Sequence, residues 1–232
     1  MKSSLRTICL LVVAGVFLKG CIFNPEVKDP DGGSGEYVPP TSPENLIKNL
    51  AEAYSRKEIE PYARILGSDF IFKFQDVDVQ DIGLDTWNRD QDSTGTAALF
   101  GTPLVGTINI DLIHGPSEVS TETFDTVVGE VRFIRINPTF LDVDQIGGEK
   151  AGTTYRVDGD IQDMFFRRGN AAANEDTTRW FLFEWRDLPD PSGTSAAPGA
   201  LQTASADGQG AVQTLSWGEM LHRISEGAKS EN

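Results

Sequence analysis

The 232-residue chain has little cysteine, little histidine and a deficit of positive charge. Two cysteines exclude a disulfide-dense scaffold, and two histidines leave a multi-histidine metal site without material. Twenty Lys and Arg stand against 35 Asp and Glu, a formal charge of −15. Such a surface repels phosphate backbones, so no nucleic-acid partner is expected. There is no Gly-rich phosphate loop, no G-x-S-x-G elbow and no H-E-x-x-H pair. Nucleotide hydrolysis, serine hydrolysis of that type and zinc proteolysis lack support, and no cofactor is expected. What is present suffices for a core: 39% of residues are hydrophobic and 9% aromatic.

The first twenty residues have the layout of an export signal. Lys2 and Arg6 precede an uncharged apolar run at 7–18, too short for a bilayer span of about 20 residues. Leu18-Lys19-Gly20-Cys21 then resembles a lipobox, the processing site of bacterial lipoproteins. Leu18 and Gly20 fit that pattern, and Lys19 departs from it. The resemblance implies cleavage before Cys21 and acylation of its thiol and amine, which anchors the protein to a membrane of the cell envelope. Ile22, not Asp, follows Cys21, which by the known sorting signals implies the outer membrane. Cys9 would leave with the signal and Cys21 would be blocked, so no thiol would remain for catalysis.

Residues 21–42 hold Pro25, Pro30, Gly32, Gly33, Gly35, Pro39 and Pro40 without apolar periodicity, as in a tether. A domain is expected over 43–225. Ser42 suits a helix cap, Pro43 the first helical position, and Leu46, Leu50 and Tyr54 recur at four. A short helix is expected over 58–66 and a half-buried strand where Phe70, Phe72 and Phe74 alternate with Ile71, Lys73 and Gln75. A third helix is expected over 85–100. Strands are expected over 105–114, 123–136, 153–167 and 178–187, the last apolar on both faces and so central. Residues 188–211, rich in Pro, Gly, Ala and Ser, read as a mobile excursion, and 216–225 as a short amphipathic end that docks back.

Two helices, a strand, a third helix and then long strands give an α+β order. The opening SPENLIKNLAEAYSRKEIEPYARIL-GSDFIFKF, with Asp69 at the head of the strand, resembles the start of the NTF2-like family, also called SnoaL-like or cystatin-like α+β. The resemblance covers about 43–187. It implies N-terminal helices packed on a strongly curved antiparallel sheet, a cone with a pocket inside. The family holds isomerases, dehydratases, transport factors and members that only bind or dimerise, so the fold does not choose the function.

The candidates for chemistry are few. His114 ends the apolar face of its strand and titrates near neutrality; the plainer reading is a strand-end histidine with a backbone partner. Glu184 lies in the most apolar strand, on a face expected to hold Trp180, Leu182 and Arg186; a desolvated carboxylate there is an acid–base group, and the plainer reading pairs it with Arg186 or Arg132. Tyr54, Trp87 and Trp180 are candidates for lining a ligand pocket, as Trp185 and Trp217 could; the plainer reading of all four Trp is core. Asp90-Gln91-Asp92-Ser93-Thr94-Gly95 begins like a calcium loop but has Gly101 where a bidentate Glu is needed, and Asp142-Val143-Asp144 fails at Ile146. Asp76, Asp78 and Asp81 read as a solvated acidic loop. No metal is expected. These features favour a lipid-anchored binding domain for a small apolar or amphipathic ligand or a protein partner. The alternatives are an isomerase or dehydratase using His114 or Glu184, and a homodimer through the outer sheet face.

Overall fold

The computed structural model describes residues 37–125, 127, 129–147, 151–189, 201–202 and 211–230. All fall in the unit Tyr37–Asn232. The signal segment 1–20, Cys21, the tether up to residue 36 and most of the 188–211 excursion lie outside the described residues. No helix among the described residues is long and apolar enough to cross a membrane.

Helix α1, Pro43–Arg56, forms as its cap and spacing require. Ser42 accepts a hydrogen bond from the Asn45 amide at 3.3 Å, Pro43 opens the first turn, and Leu46, Ile47, Leu50, Ala53 and Tyr54 are buried along one stripe. Lys57 ends it in the left-handed conformation (φ 57°) and sends its ammonium to the Val105 and Gly106 carbonyls at 3.1 and 3.0 Å. Helix α2 is a single turn, Ile59–Ala63, and leads into strand β1, Leu66–Lys73.

The Asp76, Asp78, Asp81 segment is a helix rather than a solvated loop. It forms α3, Asp76–Ile82, closed by Gly83 in the left-handed conformation (φ 75°), with Asp78 buried. The cluster has a buried partner: Ser216 donates its hydroxyl to Asp78 at 2.5 Å. Strand β2, Thr86–Asn88, then feeds helix α4, Arg89–Gly101, through an Asn88–Gln91 capping box.

The remaining strands are β3 Val105–His114, β4 Glu118–Val119, β5 Val131–Gln145, β6 Thr154–Asp158, β7 Ile161–Arg168, β8 Trp180–Leu188, β9 Leu201–Gln202 and β10 Val212–Thr214; helix α5 is Trp217–Ser230. They make one curved sheet in the order β2-β1-β8-β7-β5-β6-β10-β9, with β3 and β4 beside β5. The sheet is antiparallel except for β1 with β8 and β6 with β10, which run parallel. The long strand starts later and runs further than the periodicity predicts. β5 pairs with β7 over 131–136 and with β6 over 140–144, and Pro138, which has no amide hydrogen to give a ladder, sits at the hand-over. The 153–167 stretch is two strands, turned at Gly159 (φ 85°).

Residues 37–42, read as the end of the tether, are fastened to the body. Val38 and Asn49 exchange two hydrogen bonds at 2.9 and 2.8 Å, and the Pro40 carbonyl accepts the Trp180 amide at 2.9 Å. The helices and the inner sheet face share one core, which includes Tyr54, Tyr62, Phe72, Leu99, Trp185 and Trp217. The outer face carries a second cluster, Val131, Phe165 and Phe183, capped by Phe124 from the β4–β5 connection.

Candidate functional site

Among the described residues, helix α4 brings a group of polar side chains into the inner core. Helix α4 turns Asp92, Thr96 and Leu99 inward at helical spacing, and all three are fully buried. Tyr54 from α1, Tyr62 from α2 and Trp217 from α5 meet them. Tyr62 donates its hydroxyl to Asp92 Oδ2 at 2.5 Å. The Tyr54 ring stands edge-on to Tyr62, Phe100 and Trp217, with centroids 5.6, 5.1 and 5.1 Å away. Four atoms of this group, Tyr54 Oη, Asp92 Oδ1, Thr96 Oγ1 and Trp217 Nε1, have no hydrogen-bond partner among the described residues.

Burial raises Asp92 to about 7, against the opposing hydrogen bond from Tyr62. The same burial, with the Asp92 charge next in weight, pushes both tyrosine hydroxyls well above their ordinary value, so they remain donors. The set therefore presents two phenols, a hydroxyl, an indole N–H and a carboxyl that changes state near neutrality. Thr96, Trp217 and Tyr62 face the Tyr54 hydroxyl and oppose its rise, and the Asp92 carboxyl is placed to take up or release a proton.

A second buried carboxyl fixes the helix that closes this interior. Asp187 accepts from the Gly218 amide at 3.0 Å, from Gln162 at 2.7 Å and from Gln75 at 3.2 Å; Gln162 in turn accepts the Trp185 indole N–H at 2.5 Å. Burial raises the Asp187 pKa against these three donors. Asp78, held by Ser216, is raised by burial to about 6. The first turn of α5 is thus pinned by two carboxyls while Trp217, Met220, Leu221 and Ile224 fill the concave sheet face. Gly218 permits the approach: a Cβ there would lie 2.3 Å from Phe74 Cδ1.

Of the sequence candidates, Tyr54 lies in the interior group. Trp87 lies on the other side of α4, its ring edge against Gly95, where a groove also lined by Leu84, Asp90 and His222 runs between α4 and α5. Trp180 is buried at the start of β8 beneath the Arg168 guanidinium, 4.4 Å from its ring centre. His114 pairs across from Ile136 at the end of β3, its Nδ1 2.7 Å from the Gly115 carbonyl oxygen. Glu184 accepts from Lys73 at 2.8 Å and Arg186 at 2.5 Å. It does not share a face with Trp180 and Leu182. The β7–β8 register slips, matching Phe165 with Glu184 and Phe166 with Leu182, so Phe183 is an extra residue and the parity of the strand reverses. Glu184 and Arg186 therefore lie on the outer face, where Glu122 also pairs with Arg186. His114 and Glu184 are not brought together, and neither is among the interior residues.

Asp92 and Asp187 carry the interior chemistry; Asp187 is not among the sequence candidates, and Asp92 enters there only within the failed calcium pattern. The signal for Asp92 was available in its i, i+4, i+7 spacing to Thr96 and Leu99, which places an acid on the apolar side of α4. Asp142 and Asp144, the other failed calcium pattern, lie in β5, bonded to Arg156 at 2.7 and 2.8 Å and to Thr154 at 2.8 Å. Among the described residues no group of three or more His, Cys, Asp or Glu could hold a metal ion.

Helices packed on the concave face of a curved, unclosed sheet, with a buried acid and tyrosines between them, define an α+β domain with an interior polar site. Protein-family models give no match to the chain, and no curated protein matches it. Solved structures do resemble it. An NTF2-like superfamily protein from Salmonella enterica serovar Typhimurium aligns with 66% of this chain and 92% of its own, at 9% identity and a TM-score of 0.44. A conserved protein from Planctomyces limnophilus aligns over 62% and 91%, at 12% identity and 0.45. A protein of cystatin-like fold from Nostoc punctiforme aligns over 64% and 89%, at 12% identity and 0.37.

Proposed function

We propose that this chain is an exported protein held on the bacterial envelope by acyl chains on Cys21. Its NTF2-like domain binds a small amphipathic ligand without turnover. The observation that carries the reading is the convergence of Tyr54, Tyr62, Asp92, Thr96 and Trp217 in an otherwise apolar interior, with four polar atoms unpartnered among the described residues. Leaving buried donors and acceptors unpaired costs about 1–3 kcal/mol each, which a ligand with matching groups recovers. Helix α5 is the closing element, since Trp217 packs against the Tyr54 ring. Native mass spectrometry on gently purified protein tests this. A reproducible added mass, lost on Tyr62→Phe, supports the reading; a bare mass for both proteins overturns it.

A second reading is favoured by Asp92. A carboxyl at about 7, bonded to a phenol, suits proton transfer in an isomerase or dehydratase type of reaction. Asp92→Asn distinguishes the two, because it removes a proton-transfer group while keeping shape. Retained ligand mass in that variant belongs to a binder, and turnover that vanishes with it belongs to an enzyme.

A further inference from the structure

The leading residues of α5 are tied to the body through acids. Ser216, just before the helix, donates its hydroxyl to Asp78 of α3 at 2.5 Å and accepts the Glu219 amide at 3.0 Å. The Gly218 amide goes to Asp187 of β8 at 3.0 Å. Gln75 bridges Asp187 to a third acid, donating to Asp187 at 3.2 Å and to Asp160 at 3.1 Å. Glu219 is the fourth: one oxygen meets Arg223, and its Oε2 has no hydrogen-bond partner among the described residues. All four acids are buried.

Carboxyls gathered in a buried setting do not all ionise without cost. Burial disfavours each charge, and each charge disfavours its neighbours. Asp78 feels Glu219 and Asp81 as like charges and Arg223 as the opposing one, and Asp187 feels Asp78. Around them, Tyr155 of β6 feels the Arg223 charge, and further along α5 His222 and Glu226 share the α4 groove with Asp90. The cluster is acid-heavy, so the docked helix retains protons that an undocked one releases. Strand β10 stays outside it, held to β6 by its own ladder, and the Leu215 amide bonds to the Arg156 carbonyl at 2.9 Å. The movable piece therefore starts at Ser216.

We propose that α5 is a proton-operated latch, docked while the Asp78–Asp187 cluster holds its protons and released from its first turn onward as the cluster ionises. The sign follows from linkage. A carboxyl raised above its ordinary value in the docked state stabilises docking in acid, and that contribution is lost as the pH rises through the raised value. Asp78, ordinarily at 3.8 and held at about 6, by itself raises the open-to-docked ratio about tenfold between pH 5 and pH 8. Asp187 shifts in the same direction. Release uncovers Trp217, Met220, Leu221 and Ile224 and the concave face beneath them. As a control on ligand access the latch rests on the interior binding reading; as a motion it does not.

Hydrogen-exchange mass spectrometry on the full-length protein without ligand tests the proposal. Exchange times at pH 5 and pH 8 are scaled to equal intrinsic rates, so that residues 217–224 report the opening of α5 and β7 reports global unfolding. The opening of 217–224 should be about tenfold or more favoured at pH 8 over pH 5, and at pH 8 it should outpace β7. Asp78→Asn keeps an oxygen for the Ser216 hydroxyl and does not ionise, so the rise should shrink by about tenfold. Arg223→Gln, at a partly exposed side chain, removes a base from the cluster and should enlarge the rise. Opening that is independent of pH overturns the proposal, as does exchange of 217–224 no faster than that of β7 at pH 8. An unchanged rise in Asp78→Asn overturns it too, or in Arg223→Gln should the first variant not fold. Exchange is read without ligand, so a bare native mass bears on binding alone and flat exchange on the latch alone.

Discussion

Replacing Asp92 with Asn should make the protein more stable, and increasingly so as the pH rises. The folded carboxyl titrates at about 7, against an ordinary value of 3.8. The native state thus holds a proton that the unfolded chain has released between those two values. Stability contributed by this group is complete below about pH 4 and is lost as the pH rises towards and through 7. Asn keeps a carbonyl oxygen for the Tyr62 hydroxyl and never ionises, so it is spared the loss. From pH 5 to pH 8 the advantage of the variant should grow by about 2–3 kcal/mol. Urea unfolding followed by tryptophan fluorescence at both pH values reads this as a shift of the midpoint at constant slope. A difference between variant and wild type that is the same at pH 5 and pH 8 would refute the assignment of Asp92 as a buried group ionising near neutrality.

Other expectations follow from the same packing. Wild-type stability should peak near pH 4, because Asp78, Asp92 and Asp187 lose stability as the pH rises above about 4, while Glu175, held at about 2 despite partial burial by Arg167 and the Asn170 and Ser68 amides, loses its contribution as the pH falls from 4.5 towards 2; an unfolding midpoint that rises steadily from pH 5 to pH 8 would contradict this. Gly218→Ala should cost about 1–3 kcal/mol or more in chemical unfolding, since the methyl meets the Phe74 ring. Arg167→Ala should cost about 3–5 kcal/mol, because Asp69 and Glu175 lose their shared cation in a largely buried setting. Cys21→Ser should release the protein from the membrane fraction and abolish incorporation of an acyl label; retention of both would exclude the anchor.

Regular elements with one buried stripe were legible in the sequence. Helix α1, β3 and the central position of β8 follow from spacing alone, because apolar burial repeats at the period of the backbone. Features set by a distant partner were not. Asp76–Ile82 reads as a loop until Ser216 supplies the partner for Asp78 from 138 residues away. The outward turn of Glu184 depends on one extra residue at Phe183, and strict alternation is blind to a bulge. The parallel pairing of β1 with β8 leaves no local trace. Tyr54 was legible as a core-facing aromatic with a polar end, whereas Asp92 was hidden by a local resemblance to a cation loop.

The order in which the parts are synthesised has a consequence for folding. Residues 215–224 cover the concave face, yet every surface they pack on is made before them, from Tyr54 through Phe72 and Leu99 to Trp185. Until that segment leaves the ribosome, those rings lack their cover and the Asp187 carboxyl has no Gly218 amide to hold. Completion of the core therefore waits on one of the last segments of the domain to be made.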